Sequence, residues 1–114
     1  MGDSNPKPEI AEKTECVDSI DLRELAVGTR LEIQTRHRHY TIEKCDGTRA
    51  LISGHPTFCP QPVEVEIEGS IGKLGLNPKP GRIERGTYLI FKHPELDRVI
   101  TTSEIREIHR IPLQ

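Results

Sequence analysis

Four residues whose side chains bind ligands in many proteins alternate in the segment TRHRHYTIE, residues 35–43. They are Arg36, His37, Arg38 and His39. Imidazoles are common metal ligands, and guanidinium groups bind carboxylates and phosphates. Because alternate residues of a regular strand share a face, the two histidines would point together and the two arginines would point to the other side. The segment is therefore a candidate for half of a metal site, for an anion-binding strip or for the polar tip of a hairpin.

A metal site would need further ligands, and the segment GHPTFCP offers His55 and Cys59. Together with His37 and His39, these residues would give the four donors of a tetrahedral zinc site. However, the sequence contains no Cys-x-x-Cys pair and no tight loop that carries two ligands. We therefore expect solvated histidines, a buried thiol at Cys59 and no cofactor, and a small metal-binding protein is the second alternative function.

Basic residues also gather between residues 73 and 92, which carry five Lys or Arg and one Glu. Small β-barrels bind single-stranded nucleic acid through a basic groove and aromatic side chains that stack on the bases. A nucleic-acid interface is thus an alternative prediction, with these candidate residues: Arg36, Arg38, Tyr40, Lys73, Lys79, Arg82, Arg85 and Tyr88. The glutamates of PVEVEIEGS oppose an anionic ligand, and they could instead form cross-strand ion pairs with a basic strand.

Catalysis has less support in the sequence. The one local pairing of a thiol with an imidazole is Cys59 with His55. A nucleophile needs an adjacent base and hydrogen-bond donors for the charge that develops, and nothing marks this thiol as activated. The chain also contains no Gly-rich phosphate loop that is followed by Lys and Ser or Thr. We therefore expect a protein that is not an enzyme.

The overall composition limits the class of protein. A length of 114 residues suits one domain. The net charge of −2 is unlike that of proteins whose main function is to bind a nucleic-acid backbone, which are usually basic. No apolar run has the length of a signal sequence or a membrane span. The cysteines, Cys16, Cys45 and Cys59, are sparse and odd in number. These features predict a cytoplasmic protein with free thiols and no membrane partner.

The elements that position these residues are predicted to be strands. Apolar and polar residues alternate in GTRLEI and in PVEVEIEGSI, and YTIEKCDGTRALIS has the pattern of a hairpin, in which Asp46 and Gly47 supply the positive φ angles of a two-residue turn. Regular short strands with turn signals predict an all-β fold, a small antiparallel barrel of SH3-like size with six or seven strands. A two-sheet β-sandwich is the alternative.

The parity of the apolar residues predicts where the RHRH segment lies. In one unbroken strand, Leu31 and Ile33 would face away from Tyr40 and Ile42. The core positions would then change faces, so a turn or bulge must reset the register. The reset falls within residues 36–39, which predicts an exposed hairpin tip.

Other segments have less regular patterns. Residues 1–18 are polar and predict a disordered or loosely docked arm, which leaves residues 19–114 as a single barrel domain. The segment SIDLRELAVG predicts one helical turn or an extended lead-in. The Gly- and Pro-rich residues 73–86 predict a loop. The period of three in the isoleucines of TTSEIREIHRI favours a short helical turn or a bulged edge strand.

The function that the sequence favours is a non-enzymatic binding or scaffolding module with an unidentified protein partner. The alternative is a nucleic-acid-binding barrel that uses the basic tip and the basic loop. The sequence does not define the oligomeric state or the biological process.

Overall fold

The computed structural model describes residues 14–72 and 79–111. These residues form strands β1 to β9 and one 3-10 helix at Leu22–Glu24. The strands are β1 (Glu15–Val17), β2 (Ser19–Asp21), β3 (Arg30–Thr35), β4 (His39–Asp46), β5 (Arg49–Ser53), β6 (Val63–Ile71), β7 (Arg82–Glu84), β8 (Tyr88–His93) and β9 (Arg98–Ile111). No helix in the described part of the chain is long and apolar enough to cross a membrane.

Seven strands form one antiparallel sheet that is nearly closed into a ring. The strand order is β1-β9-β3-β4-β5-β6-β8, and β8 also pairs with β9. The long strand β9 makes this possible, because its first half pairs with β8 and its second half pairs with β3. Strands β2 and β7 form a separate two-stranded sheet. The predicted all-β class with antiparallel pairing is therefore confirmed.

The inner face of the sheet is built mainly from aliphatic side chains, together with Tyr40 and Phe91. Burial of each such side chain contributes about 1.5–3 kcal/mol, so this face is the main source of stability. The alternation predicted for β6 is confirmed at Val65 and Ile67. The largest fully buried side chains are Phe91, Leu22, Leu31, Ile33, Ile42, Ile52, Ile67, Ile83, Leu89, Ile105, Ile108 and Val65.

The predicted hairpin tip is confirmed at residues 36–38. Strand β3 ends at Thr35 and β4 begins at His39. The Thr35 amide donates to the Arg38 carbonyl at 2.7 Å, and the Arg38 amide donates to Thr35 Oγ1 at 3.0 Å. Because this turn resets the register, Ile33 lies opposite Tyr40 and both side chains are buried.

The second predicted hairpin is confirmed, but its turn lies one residue later than the sequence predicted. Asp46 is the last residue of β4 and pairs with Arg49, so the two loop residues are Gly47 and Thr48. Gly47 has φ of 58°, whereas the positive φ predicted for Asp46 is wrong. A register shift at Cys45 adds one residue to β4, which explains the displacement.

The closing segment is one strand of 14 residues, so of the two predicted alternatives the bulged strand is present and the helical turn is wrong. Its second half lies between β1 and β3 and is therefore not an edge. Its period of three comes from a bulge. Gln34 pairs with Glu107 and Thr35 pairs with Ile105, which leaves Arg106 without an opposite residue. The extra residue brings Ile105 and Ile108 to the same buried face, although they are three positions apart.

Two predicted irregular segments contain strands. Arg82–Glu84, within the predicted loop of residues 73–86, pairs with Ser19–Asp21, and residues 73–78 lie outside the described part. Glu15–Val17, within the predicted arm, pairs with Ile108–Arg110. The remainder of the arm prediction, for residues 1–13, also falls outside the described residues.

The predicted helical turn after β2 is present as the 3-10 helix. Asp21 caps it by accepting a hydrogen bond from the Arg23 amide at 3.0 Å, as Asp does at many helix starts. Leu22 is buried, and Leu25 packs against the core from the following extended backbone.

Candidate functional site

The hairpin tip is fixed against the middle of β9 by backbone and hydroxyl groups. The Arg36 amide donates to the Glu104 carbonyl at 2.8 Å, and the His37 amide donates to Ser103 Oγ at 3.2 Å. The Ser103 hydroxyl also donates to Thr35 Oγ1 at 2.9 Å. The backbone of the tip is therefore held in place without hydrogen bonds from the side chains of Arg36, His37 or Arg38. Those of residues 36–39 are exposed and border an open concavity of about 300 Å³.

The arginines near the tip differ from most other arginines in having no acidic partner. Within residues 14–72 and 79–111, no carboxylate lies within 4.0 Å of the guanidinium groups of Arg36, Arg38 and Arg98. An ion pair does exist for each of Arg23, Arg49, Arg82, Arg85, Arg106 and Arg110. Arg30, at the end of β3 away from the tip, is the fourth arginine of the described residues without such a partner. The guanidinium groups of Arg36, Arg38 and Arg98 are solvated and remain available to an anion from outside the chain.

A short loop after β5 connects the tip to the start of β9. The guanidinium carbon of Arg98 lies 5.2 Å from the centroid of the Phe58 ring. That ring lies 4.6 Å from the His55 ring, centroid to centroid. Burial lowers the pKa of His55, and the positive charge of the nearby Arg38 lowers it further. These contacts connect Arg98 with Arg38, and Arg36 borders the same concavity of the tip as Arg38. We call Arg36, Arg38 and Arg98 the basic face.

His55 has a structural role in this loop. Its Nδ1 accepts hydrogen bonds from the amides of Thr57 at 3.0 Å and Phe58 at 3.2 Å. The backbone closes the same loop, because the Cys59 amide donates to the His55 carbonyl and the Gly54 amide donates to the Cys59 carbonyl. Nδ1 must be unprotonated to accept these bonds, which is consistent with the lowered pKa of His55.

The pH dependence of this loop is predictable. Because the pKa of His55 is lower in the folded chain than in the unfolded one, the unfolded state binds more protons and stability falls as the pH decreases below about 6.5. His55→Asn is the matched variant, since its Oδ1 can accept the same two amide hydrogens without titrating. We expect the free energy of unfolding of the parent, measured in urea, to fall more than that of this variant between about pH 7.5 and pH 5. Identical pH profiles would contradict the assigned role of His55.

The metal candidates do not form a cluster in the described residues, where no group of three His, Cys, Asp or Glu is arranged to hold a metal ion. Nδ1 of His55 is already occupied by two amides. Cys59 is buried as predicted, with 1% of its surface exposed, and burial raises the pKa of its thiol. His39 is exposed as predicted, and its Nε2 also lies 2.6 Å from Glu32 Oε1. His37 is exposed at the tip.

The nucleic-acid candidates are divided between different surroundings. Tyr40 is 2% exposed and contacts Phe91 edge to face, so it cannot offer its ring to a base as predicted. Arg82 and Arg85 are paired with Glu84 at 2.9 Å and with Asp18 at 3.6 Å. Of the remaining candidates, Tyr88 is half-buried and Lys79 is exposed, while Lys73 lies outside the described residues.

Two structural features were not anticipated from the sequence, one at the site and one at the far end of β4. Arg98 follows a polar turn, and its contact with Phe58 joins segments far apart in the chain. Lys44 is 4% exposed, and its Nζ donates to the carbonyls of Leu22 at 2.6 Å and Leu25 at 2.9 Å. The alternation of buried Tyr40, Ile42 and Lys44 in β4 was the available signal for the lysine.

No family model, curated protein or solved structure matches the chain.

Proposed function

We propose that this protein is a non-enzymatic binding module that holds an anionic partner on the basic face. The observation that carries this proposal is that three of the four exposed arginines without a carboxylate in the described chain, Arg36, Arg38 and Arg98, lie around the tip, whereas six others are paired. The fourth, Arg30, lies at the opposite end of β3 and serves in the control variant below. Guanidinium groups bind carboxylates and phosphates in a defined planar geometry, so they provide directional recognition as well as charge.

The tip and its surroundings support a binding role more than a catalytic one. The tip backbone is held by Glu104 and Ser103, so its arginines are presented on a supported turn. A rigid support reduces the entropy that binding costs. The Cys59 thiol, by contrast, is buried and its pKa is raised, which is the opposite of an activated nucleophile.

The proposed architecture is a small barrel of SH3-like size that acts in the cytoplasm. The pairing of β9 with both β8 and β3 supports the barrel, since it leaves the large sheet nearly closed. A closed sheet has few free edges, so its loops and tips become the main places where a partner can be recognised.

The test compares two triple variants of equal net charge. One replaces the basic face by Arg36→Gln, Arg38→Gln and Arg98→Gln, and the other removes three exposed cations elsewhere by Arg30→Gln, Lys79→Gln and Arg85→Gln. The probe is fluorescein-labelled polyglutamate, and the readout is anisotropy over a salt titration. Exposed ion pairs contribute about 0.2–1 kcal/mol each, so we expect the first variant to weaken binding about tenfold.

The control triple should bind within about twofold of the parent, because diffuse charge is screened at moderate salt. Equal weakening in both variants would mean that the probe senses only net charge. That result, or unchanged binding by the first variant, would contradict the proposal.

A further inference from the structure

The first half of β9 has a free edge beside the basic face. Residues 98–101 pair with β8 on one side, Thr102 accepts a hydrogen bond from the Leu89 amide through its hydroxyl, and no described strand pairs with residues 98–102 on the other side. The second half of the same strand is different, because Ile108–Arg110 lies between β3 and β1. The hairpin tip covers β9 only as far as Ser103 and Glu104. The edge therefore begins where the tip ends.

The side chains along this edge suit an extended ligand. Val99 is 55% exposed and Thr101 is exposed. Neither side chain is buried against another described segment. Arg98 stands at one end of the edge, and the tip arginines stand at the other. Five residues of strand separate the two ends by about 17 Å, the length of a short extended peptide.

We propose that the Arg98–Thr102 edge binds an acidic peptide segment as an additional strand, with its carboxylates on Arg36, Arg38 and Arg98. This inference rests on the proposed function and names the class of partner. Unpaired N–H and C=O groups of an edge strand are a template for another strand, and addition of a strand is a common mode of peptide recognition. The main chain would supply affinity, while the three guanidinium groups would select for acidic side chains.

The edge favours a peptide over a nucleic acid. An extended peptide carries alternating donors and acceptors that match an edge strand, whereas a phosphodiester backbone provides acceptors only. Single-stranded nucleic acid also needs aromatic rings on which bases stack, and the ring of Tyr40 is buried. Exposed charges also protect edges from pairing with other copies, so the test must detect the main-chain hydrogen bonds themselves.

The experiment uses the full chain and a fluorescein-labelled heptapeptide in which glutamate and threonine alternate. Two further versions carry backbone N-methyl groups, one on the odd residues and one on the even residues. In strand addition, alternate amides of the peptide point toward the edge and away from it. We expect one methylated version to bind at least about tenfold more weakly and the other to bind within about threefold of the parent peptide.

The contrary outcomes distinguish a failure of strand addition from a failure of the proposed anion-binding function, on which this inference rests. Equal affinity of all three peptides would overturn strand addition while leaving the basic face as an anion-binding surface. Tight binding of an oligothymidylate that displaces the peptide would overturn the peptide as partner. No binding of either ligand would overturn the proposed function as well. Amide hydrogen exchange gives a second readout, with slowing expected at alternate residues between Arg98 and Thr102 in the complex.

Discussion

Replacing Gly54 by alanine is expected to lower the free energy of unfolding by about 3–5 kcal/mol, a large share of the stability of a domain this size. Gly54 has φ of 126°, which L side chains rarely adopt. A Cβ at this position would collide with the His39 carbonyl oxygen and would lie 3.0 Å from Tyr40 Cα. Both obstacles are backbone atoms of β4, so no side chain can rotate to make room.

Gly47 provides the matched control for this prediction. Its φ of 58° is also positive, but a Cβ there would meet nothing within 4 Å. Gly47→Ala therefore adds the conformational cost alone, about 1 kcal/mol. Urea unfolding of the two variants should differ by about 2 kcal/mol or more. Equal losses would show that the close approach of Gly54 to β4 is wrong, and with it the position of the His55 loop beside the tip.

Lys44→Met is expected to lower the free energy of unfolding by about 2–3 kcal/mol. The lysine ammonium donates to the carbonyls of Leu22, the first residue of the 3-10 helix, and Leu25, the residue that follows its end. Methionine has a similar length but no donor, so the Leu25 carbonyl loses the lysine and the Leu22 carbonyl keeps only the Leu25 amide, at 3.2 Å. The favourable burial of methionine and the removal of a desolvated ammonium offset part of this loss.

Lys92→Met is the control for this prediction, since Lys92 is exposed and should change stability by less than about 0.5 kcal/mol. Amide exchange adds a local readout, because residues 22–28 should exchange faster once Lys44 no longer anchors them to β4. A Lys44→Met variant as stable as the parent would mean that the desolvation cost of the ammonium equals its hydrogen bonds, and the anchoring role would be wrong.

Alternation and parity predicted most of the strands and the position of the tip. The parity of Leu31 and Ile33 against Tyr40 and Ile42 required a reset within residues 36–39, and the turn lies there. Such local patterns succeed because the two faces of a strand have fixed periodicity. They fail at bulges, where one added residue changes the period. Because of the bulge at Arg106, the pattern of TTSEIREIHRI fitted a helical turn as well as a bulged strand, and only the structure distinguishes them.

The candidate site was only half visible in the sequence. Arg36 and Arg38 were identified because they lie two residues apart in the sequence. The third member, Arg98, is brought toward them by folding, through its contact with Phe58. The contact between His39 and Glu32 was equally hidden, although the register of the predicted hairpin places these residues on adjacent strands. Whether a charge is paired depends on such tertiary contacts, so composition alone could not separate free arginines from paired ones.

The most direct test of the binding surface is to follow the arginine side chains themselves. Titration of ¹⁵N-labelled protein with the alternating glutamate and threonine peptide reports the Nε–Hε signal of each guanidinium group. The signals of Arg36, Arg38 and Arg98 should shift together and saturate at one common Kd, while those of Arg23 and Arg49, which are already paired, should remain in place. Shifts at the paired arginines of equal size, or no saturable shift on the basic face, would contradict the proposed function.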